Sequence, residues 1–304
     1  MTTRPHGMTL IEMVIVIVLM GIIGATIGMF IVPMMQSYQA VRQRAELVDS
    51  AESALRRIAR DIRIAVPNSI RVRTDLVGAT GFALELVPTA DGGRYCVSGD
   101  ANCASRPGDP NLDVSAADGG FDILGCFRNA AFITAVGAGT TAYRLVVNNS
   151  TESEIYGGAA VITPAGSTLT LTVSPGTGAC GTTPAADTNV HHVAISPSHD
   201  FLSDSARRRV FVIENAASAV TYVCDTTAGT LTRYAGYGIQ GTQPNQPGAA
   251  PLASGSVVTQ RVSACSATSS AVIQGVGLVT LDLSVAIGAE TVRLVHQLQL
   301  DNSE

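Results

Sequence analysis

The first apolar stretch of the chain covers residues 8–35, which include one charged residue, Glu12. As an α-helix its 28 residues would be about 42 Å long, more than the roughly 30 Å hydrocarbon core of a bilayer. Small residues such as Gly24 and Gly28 lie inside the run, unlike the cleavage site after a secretory signal. The pattern predicts a transmembrane helix. Arg4 before it and a large domain after it place the N-terminus in the cytoplasm and the domain outside.

After residue 35 an apolar residue recurs every three or four positions, which predicts an amphipathic helix over 36–66 that continues the span. Pro67 gives a stop signal. Pro33 should kink the helix or melt a turn, because proline lacks an N–H and its ring clashes with the preceding turn. The apolar positions are Tyr38, Val41, Ala45, Val48, Ala51, Leu55, Ile58, Ile62 and Ala65.

Residues 67–304 show the short alternating and β-branched runs that predict strands. The runs lie at 69–73, 82–87, 142–148, 167–174 and 210–214, with hairpins over 219–237 and 278–300. Segments rich in Gly, Pro, Asn and Asp predict loops at 88–120, 175–189 and 240–256. The expected fold class is α+β, a long N-terminal transmembrane and amphipathic helix packed on a large β-rich head. The expected divisions are a leader (1–7), a transmembrane helix (8–35), an amphipathic helix (36–66) and the head (67–304).

Charge and composition argue against a nucleic-acid partner. Of the 304 residues 14% are charged, and the net charge is −5. Residues 42–73 contain eight Arg and four acids, but no aromatic residue lies among them. We interpret this segment as a solvated helix face with pairs such as Glu52–Arg56.

Six cysteines are spread through the β-rich region without a C-x-x-C motif. An even number in such a region predicts disulfides in an oxidising compartment, and the alternative is buried thiols in a cytosolic protein. Cys224 lies in the first strand of a predicted hairpin, and Cys265 follows a polar loop that returns the chain, so we predict that they pair. The other four allow three pairings, of which we favour Cys96–Cys103 with Cys126–Cys180.

We find no catalytic motif, and we expect neither enzymatic activity nor a cofactor or metal. Adjacent histidines on a strand point to opposite faces, so we interpret the candidate ligands His191, His192, His199, Asp187 and Asp200 as surface-loop residues. Five aspartates in a Gly/Pro-rich loop could bind calcium, but their spacing does not match an EF-hand loop. They are Asp100, Asp109, Asp113, Asp118 and Asp122.

A carboxylate four residues into an apolar span is costly to insert and usually has a partner, although Glu12 could also reach the headgroups. Gly7-Met8-Thr9-Leu10-Ile11-Glu12 before an apolar run resembles the class III signal of type IV prepilins and type II secretion pseudopilins. The resemblance implies that prepilin peptidase cuts between Gly7 and Met8 and that the Met8 amine is methylated. Glu12 would become the fifth mature residue and guide assembly. Met8 departs from the Phe that is common at the first mature position.

Further segments resemble O-type minor pilins of mannose-sensitive haemagglutinin (MSHA) pili. They are IVPMMQSY, LVDSAESALRRIARDIRIAVPNSIRV, VTYVCDTTAGTLTRYAGYGI and LVHQLQL. The resemblance is close over roughly the first 75 residues and patchy over 200–300, and 90–200 does not match.

The resemblance implies a structural subunit that works by helix packing. Its partners would be major and minor pilin subunits, prepilin peptidase, the pilus assembly platform and the inner membrane. One alternative is a large-headed, J-like pseudopilin of type II secretion. Alternatives from other classes are a membrane-tethered periplasmic binding protein or adhesin, which would need neither the Gly7–Met8 cut nor Glu12, and a tethered enzyme.

Overall fold

The structure is a computed structural model that describes residues 7–98, 103, 110–174, 180, 189–273 and 276–301. Most of the expected leader, with Arg4, lies outside these residues, as do the candidate ligands Asp100, Asp109 and Asp187.

Three helices and fourteen strands occur in the described ranges. The helices are α1 (Leu10–Arg63), α2 (Ala130–Gly137) and α3 (Glu152–Gly157). The strands are β1 (Arg71–Arg73), β2 (Gly81–Leu86), β3 (Asp91–Arg94), β4 (Asp118–Asp122), β5 (Tyr143–Val147), β6 (Thr168–Ser174), β7 (Val190–His199), β8 (Arg209–Glu214), β9 (Ala219–Asp225), β10 (Thr230–Tyr237), β11 (Ser256–Gln260), β12 (Val262–Ile273), β13 (Val276–Ile287) and β14 (Glu290–Asp301). The fold is α+β, a long apolar N-terminal helix followed by a β-rich head.

Helix α1 is continuous over 54 residues and includes Pro33. The expectation of a melted turn at Pro33 is therefore wrong. The helical turns on both sides of Pro33 keep their hydrogen bonds, so the loss of one N–H donor does not interrupt the helix. A kink there stays a prediction. The helix ends at Arg63, and the chain then joins the head through the Val66 N–H, which donates to the Val87 carbonyl at 2.8 Å.

The C-terminal half of α1 packs against two antiparallel sheets. One has five strands in the order β1-β2-β9-β10-β11, and the other has three in the order β12-β13-β14. Their inner faces and one stripe of α1 form a single core, because the apolar residues of α1 recur at helical spacing. The helix contributes Leu47, Ala51, Ala54, Leu55, Ile58, Ala59 and Ile62. We call α1 from Leu47 onward, with these two sheets, the helix-packed lobe.

The residues between β2 and β9 form a second unit, which we call the inserted lobe (88–218). It holds two three-stranded sheets, β3-β8-β5 and β4-β7-β6, together with α2 and α3. Its aromatic-rich core is separate from that of the helix-packed lobe and includes Tyr95, Phe121, Phe132 and Phe201. The segment predicted as one loop over 88–120 contains β3 and the start of β4, so that prediction is wrong there. These strands contain glycines at 92, 93, 119 and 120, so they lack the alternation of apolar and polar residues that predicts a strand.

Candidate functional site

The N-terminal end of α1 carries a capping box that closes its first turn. Thr9 is the N-cap, and its hydroxyl oxygen accepts the Glu12 N–H at 3.4 Å. The Glu12 carboxylate in turn accepts the Thr9 N–H at 3.5 Å. Each side chain thus satisfies a donor that the helix leaves unpaired, and the acid lies where the helix dipole favours negative charge.

The capping box adds a role for Glu12 that our sequence reasoning missed. Its signal is the spacing Thr9-x-x-Glu12, a Thr followed three residues later by Glu. Glu12 therefore supports the start of α1 in its own chain. Gly7 and Met8 lie just before it, outside the helix and exposed.

The N-terminal half of α1 is apolar on all sides and is not covered by any other element of the described residues. Every residue from 10 to 35 is exposed, with Leu10 at 83% and Phe30 at 73%. A helix that is apolar all round needs a membrane or other helices to cover it. Among the described residues α1 is the helix long and apolar enough to span a bilayer. Gly21, Gly24 and Gly28 leave open surface on it, which lets neighbouring helices approach closely.

Polar contacts fix the C-terminal half of α1 to the five-stranded sheet. Asp61 Oδ2 accepts the Tyr222 hydroxyl and the Arg233 Nε–H, both at 2.8 Å. Ser50 Oγ and Thr259 Oγ1 are 2.6 Å apart. Burial, followed by the hydrogen bond to Asp61, raises the pKa of Tyr222 and keeps the phenol protonated. Asp61, one of four acids in this half of the helix, is therefore held by partners from its own head.

Three disulfides staple the head, and they are the pairs that we favoured from the sequence. Cys224–Cys265 joins β9 to β12 and so links the two sheets of the helix-packed lobe. Gly81 lies beside this bond at φ +144°, where a Cβ would stand 2.1 Å from the Cys224 carbonyl oxygen, so β2 needs glycine there. The other two bonds, Cys96–Cys103 and Cys126–Cys180, belong to the inserted lobe.

A buried polar network joins the two lobes around Arg71. Its Nε–H donates to Glu85 Oε2 at 2.6 Å, and its guanidinium lies 3.5 Å from the centroid of the Tyr156 ring on α3. Tyr237 donates to the other Glu85 oxygen at 3.0 Å. Burial raises the pKa of Glu85, and the Arg71 charge opposes that shift. The network positions the inserted lobe on the sheet below it.

The three candidate histidine ligands contact polar groups of their own chain. His191, His192 and His199 all lie on β7, so their assignment to a surface loop is wrong. The mixed polar and apolar sequence of β7 gave no clear strand pattern. His191 Nδ1 accepts the Phe127 N–H at 3.0 Å, and His192 Nδ1 lies 2.8 Å from Asp122 Oδ1. Burial lowers the pKa of His191. His199 Nε2 lies 3.0 Å from the Ala160 carbonyl oxygen.

The aspartates of the proposed calcium loop also contact their own chain. The two Asp118 oxygens accept N–H groups from Asp113 at 2.8 Å and Gly120 at 2.9 Å. Asp113 accepts both the N–H and the hydroxyl of Ser115. Within the part of the chain that the structure describes, no group of three or more His, Cys, Asp or Glu is placed to hold a metal ion.

Charged residues on α1 pair along the helix surface. Glu52 and Arg56 form the expected ion pair, and Arg42 and Glu46 form another at 3.3 Å. Both pairs are exposed, and pairs of this kind contribute roughly 0.3–0.5 kcal/mol in a helix.

Comparison with known proteins adds one match. The family described as the prokaryotic N-terminal methylation motif matches residues 3–28, the leader junction and the first turns of α1. No curated protein and no solved structure matches the chain. The motif supports a type IV pilin-like or pseudopilin subunit that prepilin peptidase processes, and a structural rather than an enzymatic role. The apolar helix near the N-terminus fits the membrane anchor of such subunits.

Proposed function

We propose that this protein is a minor pilin-like structural subunit for the assembly of an MSHA-type type IV pilus. The chain is inserted in the inner membrane with its head in the periplasm. Prepilin peptidase cuts it after Gly7, and the mature subunit enters the filament through α1, alongside other major and minor pilins.

The observation that carries the proposal is the combination of the methylation motif with a helix that is completely uncovered up to Met35. A tether needs only a span that is stable in lipid. It needs neither a Gly7–Met8 junction nor an acid at position 12, since a charged side chain inside a span is costly to insert. Both features suit a helix that is processed and then packed against other helices.

The leader does not separate an MSHA-type pilus from a J-like pseudopilus of type II secretion. The MSHA assignment depends on the segments of the second half of α1 and the two hairpins that resemble O-type minor pilins. Identifying the subunits that crosslink to this chain in sheared filaments distinguishes the two. MSHA-type pilins are the expected partners, and secretion pseudopilins would refute the assignment.

The N-terminus of the mature protein tests the processing step. In cells with prepilin peptidase we expect a chain that begins at N-methylated Met8, and in cells without the enzyme we expect an intact leader. Peptide mass analysis of the purified protein gives both results. A leader that stays on in peptidase-competent cells would exclude a pilin-like subunit and favour a tethered binding protein or adhesin.

A further inference from the structure

The outer edge of β14 is a long strand edge without a partner in the described residues. β14 pairs with β13 over twelve residue pairs from Glu290 to Asp301 without a bulge. No other strand follows β14 in its sheet, and no hydrogen bond within the described ranges joins residues 291–299 to an element beyond β13. A free edge of this kind offers a row of N–H and C=O groups to another strand.

The hairpin geometry shows which groups face outward. Ile287 and Glu290 flank the two-residue turn at Gly288 and Ala289, so they form a hydrogen-bonded pair. Hydrogen-bonded pairs then recur at every second residue, which directs the even-numbered residues of β14 to β13. The Ala286 N–H agrees, since it donates to Arg261 on the opposite side of β13. Five residues therefore present their backbone groups at the free edge: Thr291, Arg293, Val295, Gln297 and Gln299.

Other strand edges in the helix-packed lobe carry features that discourage pairing. β1 has only three residues, and β11 has five with an irregular register against β10. The pairing of β12 has two register shifts. β14 has neither Pro nor Lys, and Arg293 on its outer face is paired with Asp282 of β13. Val295 in the middle of the strand is 56% exposed.

Apolar surface on α1 lies where an added strand could bury it. At about 100° per residue, Val41, Ala45 and Val48 lie on one flank of α1, about half a turn from Ser50 and Asp61. Those two residues contact β11, β9 and β10, so this flank faces away from the five-stranded sheet. The main remaining contacts of α1 are with β13 and β14. The three apolar residues line a groove of about 440 Å³ together with charged residues of the same helix, and Val41 is 67% exposed. The charged lining residues are Arg44, Asp49 and Glu52.

We propose that the edge of β14 binds an extended strand from the head of a neighbouring pilin-like subunit, an inference that rests on the proposed function. Backbone hydrogen bonds to an added strand are a known mode of protein recognition. Two copies of this chain joined through β14 would form an isologous contact and close as a dimer. A filament instead needs heterologous contacts that continue. The added strand would place alternate apolar side chains over Val41 and Val48.

Site-specific crosslinking in sheared filaments tests the inference. The photoreactive residue p-benzoylphenylalanine replaces Val295 in the full-length chain, alone and together with Gln297→Pro or Ser269→Pro. Both prolines remove an outward N–H and no bond to β13, Gln297 at the β14 edge and Ser269 at the opposite edge on β12. We expect a product with a strand segment of another pilin-like subunit. The product should be lost with Gln297→Pro and kept with Ser269→Pro.

Several outcomes would overturn the inference. They are a product that survives Gln297→Pro, a product only between two copies of this chain, and no product in filaments that contain the chain. All three leave the proposed function intact, whereas a processed chain that never appears in filaments refutes both.

Hydrogen exchange of the unsubstituted protein covers the case in which Gln297→Pro fails to fold. The amides of residues 291, 293, 295, 297 and 299 should exchange more slowly in filaments than in detergent-extracted monomers. Equal exchange in the two samples would overturn the inference.

Discussion

The two halves of α1 differ in sequence, since the first is apolar all round and the second is amphipathic, and they have opposite surroundings. From Leu10 to Met35 every residue is exposed, whereas Leu47–Ile62 gives seven residues to the core of the helix-packed lobe. The first half holds one acid, Glu12, and the second half holds four, of which Asp61 faces the head. Asp61 is bound by Tyr222 and Arg233 of its own head, while the contact of Glu12 is local, within the capping box.

This difference separates what the chain completes alone from what other molecules must complete. The buried stripe from Leu47 to Ile62 finds its apolar and polar partners within the chain, so its role is to hold the head. The N-terminal half has an uncovered apolar surface and an acid with no partner beyond its own first turn among the described residues. Its partners therefore come from lipid and from other helices.

The largest expected effect concerns the disulfide beneath the buried half. Replacing both Cys224 and Cys265 by Ala should lower the free energy of unfolding of the head by about 4 kcal/mol, because the bond closes a loop of 41 residues between β9 and β12. Denaturant unfolding of the oxidised protein measures it. Peptide mapping without reductant provides the control, and a free Cys224 in the native protein would contradict the pairing.

Truncating one apolar residue in each half should separate the halves directly. Ile58→Ala should destabilise the head by about 2–5 kcal/mol, because Ile58 is 1% exposed in the core. Ile17→Ala should leave unfolding of the head unchanged, since Ile17 is 66% exposed and lies in the half of α1 that the described head residues do not cover. Thermal and denaturant unfolding in detergent measure both. Equal destabilisation by the two variants would contradict the division of α1.

The polar attachment of the buried half should contribute less. Asp61→Asn should cost about 1–3 kcal/mol, because the charge that accepts bonds from Tyr222 and Arg233 is lost in a largely buried position. Asp49→Asn on the exposed face is the matched control and should change stability by no more than about 0.5 kcal/mol. If the two variants unfold alike, Asp61 does not anchor the helix.

The sequence predicted the parts of the fold with strong periodicity. The two halves of α1 and the hairpins β9–β10 and β13–β14 follow from apolar spacing and turn residues. In the inserted lobe the predicted runs correspond to β5, β6 and β8. β3 and β4 were not predicted, because they are largely glycine and aspartate. β12 reads as a polar run of Ser, Thr and Ala, yet its residues pair with the apolar β13. Separate cores for the two lobes are a long-range property that local patterns do not contain.

The residues of the candidate site were easier to predict from the sequence than the fold of the head. Gly7, Met8 and Glu12 stand in a short motif at fixed spacing. The spacing of Thr9 and Glu12 indicates the capping role, but our sequence analysis considered only the charge of Glu12 within an apolar span. Asp61 gave no signal, since its partners Tyr222 and Arg233 lie more than 160 residues away.

The central claim is that the charge of Glu12 serves other subunits as the helices pack. Two substitutions separate this role from capping, because Glu12→Gln keeps a side chain that can accept the Thr9 N–H while removing the charge. In the proposed mature chain the Met8 amine would be positive, and an unpaired charge in a low-dielectric helix bundle is costly. The account therefore requires a carboxylate at position 12, which would pair with the amine of an adjacent subunit.

The most direct measurement is the amount of processed protein in membranes and in sheared filaments for the unsubstituted chain, Glu12→Gln and Glu12→Leu. The account predicts normal membrane levels for all three and a similar, strong loss of both variants from filaments. Wild-type amounts of Glu12→Leu in filaments would contradict it. Normal incorporation of Glu12→Gln with loss of Glu12→Leu would reduce the role of Glu12 to capping its own helix.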